Sequence, residues 1–206
     1  GATTCTVDYS TSSHSFSVGD DKKISDDAGP CLSRAQDDYW FRVHPSCYNQ
    51  EFQISCDKDF STTLLFSKTG TATIHVLPNT HSASPDGETT EKVESYCFAE
   101  NNFCTYEGTL WAALVLNALD KDVSSYLPYL ITLAEDNPRF LPDAFLFFIT
   151  SEENFRVSLL SKQRNNKWWS ESGDRYYDTA LAMYPFKGQN LTEKTNAKQW
   201  LLNEAQ

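Results

Sequence analysis

The chain has 206 residues, of which 40% are hydrophobic, 14% aromatic and 22% charged. It is too apolar and aromatic for disorder, and long enough for one or two buried cores. Lys and Arg number 17 against 28 Asp and Glu, a formal net charge of -11, so its average face repels phosphate backbones and anionic lipid, and no nucleic-acid partner is expected. The longest apolar run, Leu110 to Leu116, falls far short of the ~20 residues that cross a bilayer, so no membrane span is expected.

The chain begins Gly1-Ala2-Thr3-Thr4, which reads as the end left by removal of a secretory signal or by trimming. From Cys5 to Leu77 apolar residues recur with period 2, the pattern of strands buried on one side. Cys5, Val7 and Tyr9 share a face, Phe16 and Val18 continue the pattern, and Tyr39, Phe41 and Val43 and then Phe52, Ile54 and Cys56 repeat it. Thr62 to Ser67 and Thr71 to Leu77 read as a hairpin turned at Lys68-Thr69-Gly70, where glycine supplies a positive φ. Turn clusters such as Gly19-Asp20-Asp21 and Asp27-Ala28-Gly29-Pro30 part the strands, so an antiparallel β-sandwich or jelly roll over residues 1–100 is expected. Pro78 to Glu91 has no apolar periodicity and is expected to be an exposed loop or part of the domain junction.

All six cysteines, Cys5, Cys31, Cys47, Cys56, Cys97 and Cys104, lie in the first 104 residues. An even set confined to one region points to three disulfides in an oxidising compartment. Zinc is disfavoured, because the closest cysteines are 7 and 9 residues apart and no C-x2-C pair occurs. Six cysteines allow 15 connectivities; pairing chain neighbours gives Cys5 with Cys31, Cys47 with Cys56, and Cys97 with Cys104. Asn190-Leu191-Thr192 is an N-glycosylation acceptor, which agrees with secretion.

After Cys104 the period becomes helical. Helices are expected over Glu107–Leu119, Asp122–Glu135, Leu141–Ile149, Ser151–Arg164, Tyr177–Phe186 and Thr192–Ala205, three hairpins filling residues 101–206. Ser151, ahead of two glutamates, is expected to start the fourth helix, and Gly188 to provide a left-handed residue after the fifth. Thr109-Leu110-Trp111-Ala112, Pro142-Asp143-Ala144-Phe145 and Thr179-Ala180-Leu181-Ala182 recur at offsets of 33 and 37 residues, a repeat of helix pairs.

Leu159-Leu160-Ser161-Lys162-Gln163, Trp168, Tyr177 to Ala182 and Trp200-Leu201-Leu202 resemble the hairpin repeat of the prenyltransferase and terpene-cyclase α/α toroids, over residues 107–206. The resemblance implies an α/α arc, open because three hairpins are fewer than the family's five to seven. It carries no chemistry across: the acidic D-x-D-D run of the cyclases, the Asp, Cys and His zinc ligands of the prenyltransferases and the G-C-G-E-Q of the thioester relatives are all missing from this half. No metal or cofactor is therefore expected.

His14, His44, His75 and His81 have no metal spacing and read as strand or loop residues. Acidic turns at Asp20-Asp21, Asp26-Asp27, Asp37-Asp38 and Asp57-Lys58-Asp59 offer oxygen ligands for calcium without D-x-D-x-D-G spacing, and read more simply as solvated turns. Asp143 and Asp178, near two helix starts, are the one carboxylate pair a glycosidase would use, although helix N-termini favour acidic residues on their own account. Trp168-Trp169 and Tyr176-Tyr177 bracket a polar loop. Large rigid aromatics in such a place stack on sugars or anchor interfaces; the toroid pattern assigns Trp168 and Tyr177 to the core, leaving Trp169 and Tyr176 exposed.

The expected protein is thus a secreted or cell-surface chain of two parts without a catalytic site. It would serve as a structural or adhesive subunit of an extracellular or cell-surface assembly such as a filament, with residues 2–13 pairing a sheet edge in the same chain or a neighbouring copy. The alternatives are a carbohydrate- or peptide-binding module of a secreted enzyme, and a glycoside hydrolase built on Asp143 and Asp178.

Overall fold

The structure, a computed structural model, describes residues 1–71 and 73–204. The chain is α+β and divides into two compact units, Gly1–Ser95 and Tyr96–Gln206. The boundary precedes the expected one, so Cys97 and Cys104 belong with the helices.

The first unit holds β1 (Thr3–Tyr9), β2 (Ser12–Val18), β3 (Leu32–Ala35), β4 (Trp40–Val43), β5 (Glu51–Cys56), β6 (Phe60–Thr62), β7 (Leu65–Phe66), β8 (His75–Val76), β9 (His81–Ala83) and β10 (Glu88–Lys92). One antiparallel sheet has the order β10-β5-β1-β2, a second has the order β3-β4-β7-β8, and β6 pairs β9 in a two-stranded ribbon. The second sheet contains one parallel contact, Arg42 opposite Leu65. Alternation works as the sequence implies: Cys5, Val7 and Tyr9 are buried while Thr4 and Asp8 face out. Phe16 of β2 meets Phe41 of β4 edge-on, ring centroids 4.8 Å apart, and Val7, Leu32, Val43, Phe52 and Val93 complete the core.

Strand order decides the disulfides. Cys5 stands directly opposite Cys56 in the β1–β5 register, Cα atoms 4.1 Å apart, and the two are bonded. Cys31 is bonded to Cys47, next to the β3–β4 pair, and Cys97 to Cys104. The neighbour pairing therefore holds only for Cys97 with Cys104; the Cys5–Cys31 and Cys47–Cys56 expectations are corrected, because β1 pairs with β5 and never lies beside β3. β1 is also an interior strand, so the N-terminal segment is paired on both sides within its own chain.

The expected hairpin after Thr62 exists in shortened form. Leu65 pairs with Val76 and Phe66 with His75 around Gly70 at φ 81°; part of its second strand, Ala72, lies outside the described residues. Pro78 to Glu91, expected as a loop, instead contains β9 and most of β10. Its inward positions are polar, Thr89 and Glu91, so hydrophobic alternation does not reveal it.

His75 is half-buried, its ring stacked on Phe66 at 5.3 Å, and burial lowers its pKa below the usual 6.5. The unfolded chain therefore binds this proton more tightly than the native one. The stability His75 contributes is present above its unfolded pKa and is lost as pH falls through the lowered native value. Urea titrations should show the β unit weakening from about pH 7 to pH 5, and His75→Phe should flatten that decline; an unchanged slope would exclude His75 as the cause.

The second unit opens with β11 (Ala99–Glu100) and β12 (Phe103–Cys104), a hairpin turned by Asn101 and Asn102, both at positive φ. Asparagine tolerates that conformation better than most residues. Six α-helices follow among the described residues: α1 (Tyr106–Ala118), α2 (Leu127–Thr132), α3 (Pro142–Thr150), α4 (Glu153–Ser161), α5 (Arg175–Met183) and α6 (Thr192–Glu204). Ala205, the last residue of the expected sixth helix, lies outside the described residues. α2 is shorter than expected because 3-10 turns at Ser124–Tyr126 and Ala134–Asp136 flank it. Ser151 ends α3 in a left-handed conformation, φ 58°, rather than starting α4, whereas Gly188 is left-handed as expected, φ 83°. α3 is the central element, with Pro142 to Phe147 all buried and α1, α2, α4 and α5 packed around it.

Candidate functional site

A buried carboxylate organises the loop between Trp168 and Tyr177. Asp178 is fully buried, and its Oδ2 accepts from the backbone N–H groups of Glu171 (2.6 Å) and Ser172 (2.7 Å) while Oδ1 accepts from the Ser172 hydroxyl (2.7 Å). Asp174 caps α5 by accepting from the N–H groups of Tyr176 and Tyr177. Trp169 anchors the other end: it is fully buried, its indole N–H donates to the Leu159 carbonyl at 2.7 Å, and its backbone N–H donates to the Thr179 hydroxyl. The backbone N–H groups of Glu171, Ser172, Asp174, Tyr176 and Tyr177 thus have defined acceptors, and the loop is held before any ligand arrives.

Beside the loop lies a cavity of about 330 Å³, at the lower end of the range for small-molecule sites. Glu107, Leu110 and Trp111 reach it from α1, Phe145 from α3 and Tyr177 from α5, with Arg139, Phe140 and Ser172 completing the wall. Trp111 packs edge-on against Phe145 at 4.8 Å, and the Arg139 guanidinium lies 4.5 Å from the centre of the Phe140 ring. Neither Glu107 nor Arg139 forms an ion pair with a described residue. Burial, and then the negative charges of Glu107 and Asp178, hold the Tyr177 hydroxyl protonated by raising its pKa, so it serves as a hydrogen-bond donor. The cavity therefore combines aromatic ring faces, one free carboxylate, one free guanidinium and two hydroxyls.

The structure redistributes the expected site residues. Trp169 is core rather than exposed, a correction of one position: Trp168 is the partly exposed member of the pair. Tyr177 is 46% exposed and lines the cavity rather than filling the core. Tyr176 is exposed as expected, but it stacks on Trp200 at 5.3 Å, within a group that includes Trp168 and the Arg175 guanidinium. Asn190 is exposed in the turn before α6.

The two candidate acids are tied into separate local networks. Asp143 is buried and accepts from the Lys162 ammonium (2.6 Å) and the Ser158 hydroxyl (2.7 Å), tying α3 to α4. Neither it nor Asp178 lines the cavity, and Oδ2 of Asp143 and both oxygens of Asp178 accept hydrogen bonds. The acidic turns are likewise engaged locally, Asp27 with Arg34 and Asp57 with the Thr4 N–H. No group of three or more His, Cys, Asp or Glu suited to a metal occurs among the described residues.

Glu107, Trp111, Arg139 and Phe140 were not singled out by the sequence. The available signal was weak: Trp111 interrupts the small and aliphatic residues of α1 and stays 37% exposed, and Arg139 sits in a 3-10 turn far along the chain. No protein-family model matches the chain, and neither a curated protein nor a solved structure shows significant similarity to it.

Proposed function

We propose that the chain is a secreted or cell-surface module that binds carbohydrate through the cavity of its helical unit. The carrying observation is the pairing of aromatic ring surfaces, Trp111, Phe140 and Tyr177, with a carboxylate and a guanidinium that form no ion pair with a described residue. A sugar ring offers an apolar face for stacking and hydroxyls that both donate to a carboxylate and accept from a guanidinium, and the volume suits one or two such rings. Three disulfides support an oxidising compartment, and among the described residues no helix is long and apolar enough to cross a membrane.

The finer architecture in this reading is a β-sandwich and an open α/α arc. The Phe16–Phe41 contact between sheets supports the first. The second is supported by α1, α3 and α5, the first helices of the three pairs, all reaching the cavity. Adhesion by ligand binding fits better than polymerisation by strand exchange, since β1 is already an interior strand.

Screening on immobilised glycans, followed by calorimetry on those retained, tests the proposal. Glu107→Gln and Arg139→Gln should each weaken binding by about 1.5–3 kcal/mol, the contribution of hydrogen bonds to charged groups. Leu202→Ala, on the exposed side of α6, should change nothing. Retention of no glycan, or equal affinity in all these variants, would overturn the assignment.

A further inference from the structure

We infer that the first unit has a second, independent site, a mainly apolar, solvent-open cavity that takes a neutral hydrophobic molecule of two to three fused or linked rings. The cavity measures about 360 Å³ and is walled by both four-stranded sheets, with Phe16 and Ile54 on one side and Phe41 and Leu64 on the other. An enclosed cavity of about 150 Å³ lined by Leu, Ile and Phe accepts benzene. The larger volume here accommodates correspondingly more rings.

Its walls are fixed rather than free to collapse. The Cys5–Cys56 bond, itself part of the lining, ties β1 to β5. β6, which forms a third wall, is fastened by a polar latch. There the Thr62 hydroxyl donates to the buried Glu91 carboxylate, which also bonds His81 Nδ1 at 2.9 Å. The polar inward face of β10 thereby acquires a use: it holds open the strand that bounds the cavity. Trp40 and Tyr39, 39% and 46% exposed, place large rings on the lining at its solvent side.

The charge pattern selects a neutral occupant. Lys22 and Asp59 both border the cavity, both are exposed, and neither forms an ion pair with a described residue. One charge of each sign gives no net attraction for an ionic head, and the net charge of -11 disfavours an anion.

N-phenylnaphthylamine, which fluoresces in apolar surroundings, and its sulfonated analogue anilinonaphthalenesulfonate share a ring skeleton and differ in charge. The intact chain should bind the first with one probe per molecule, and the second at least about tenfold more weakly. Trp40 is the only tryptophan before residue 96 and lines the cavity, so energy transfer from tryptophan to probe should fall more in Trp40→Phe than in Trp111→Phe. Val18→Trp fills the cavity from β2 and should weaken probe binding by at least about tenfold with the thermal midpoint retained. Thr3→Trp, from β1, provides the same test if the first replacement disturbs the sheet. No binding by the native chain, transfer reduced no more by Trp40→Phe than by Trp111→Phe, or native affinity in the folded filled variants would overturn the inference.

Discussion

Replacing Cys5 and Cys56 together with alanine is expected to lower the stability of the β unit by about 4 kcal/mol. The bond closes a loop of 51 residues, and in the chain-entropy treatment that constraint on the unfolded state grows with the logarithm of loop length. The 7-residue loop of Cys97–Cys104 gives about 2 kcal/mol on the same basis. Both sulfur atoms sit in the core, so alanine avoids the further burden of burying a serine hydroxyl. Unfolding followed by hydrogen exchange of the β1, β2 and β5 amides reports the β unit, and far-ultraviolet circular dichroism is dominated by the helices. The double replacement should move the first transition to lower denaturant and leave the second in place. Coincident, unshifted transitions would mean that the sheet, rather than the crosslink, holds β1.

The parts of this fold legible in the sequence are those governed by local periodicity. β1, β2 and β5 follow from alternation, and all six helices follow from apolar residues at 3.6-residue spacing. Non-local facts were not legible. Which strand lies beside β1 determines the partner of Cys5, and no feature near Cys5 encodes that Cys56, far along the chain, stands opposite. The Cys97–Cys104 bond was legible because Asn101-Asn102 closes the chain on itself locally. β10 was hidden because its buried positions carry Thr89 and Glu91, whose burial depends on partners in β6 and β9. The identity of the buried tryptophan turned on a single residue: Trp169 reaches the Leu159 carbonyl and Trp168 does not. The cavity residues Glu107 and Arg139 meet only after α1 and the turn before α3 have packed, so neither spacing nor composition announces them.

Replacing Asp178 separates the binding reading from catalysis by paired carboxylates. Asp178→Ala removes the acceptor for two backbone N–H groups and one hydroxyl in a fully buried place. Stranding donors bonded to a charged group costs about 3 kcal/mol and releases the loop that carries Ser172 beside the cavity. Glycan binding should fall together with stability. Asp178→Asn behaves differently on geometric grounds. Its carbonyl oxygen can take the position of Oδ2 and receive both backbone N–H groups, while its amide donates to the Ser172 hydroxyl, which can accept as well as donate. Only the charge is lost, so the loop should persist and the cost should be about 1 kcal/mol. A general acid, base or nucleophile has no such tolerance, because the amide neither releases a proton nor attacks. If Asp178 orders the loop, binding should survive in Asp178→Asn and fail in Asp178→Ala. If it performs glycoside hydrolysis with Asp143, turnover should vanish in both variants while the asparagine form stays folded. Calorimetry and a reducing-end assay on the two proteins therefore distinguish a positioning carboxylate from a reacting one, because the two variants differ in geometry and agree in chemistry.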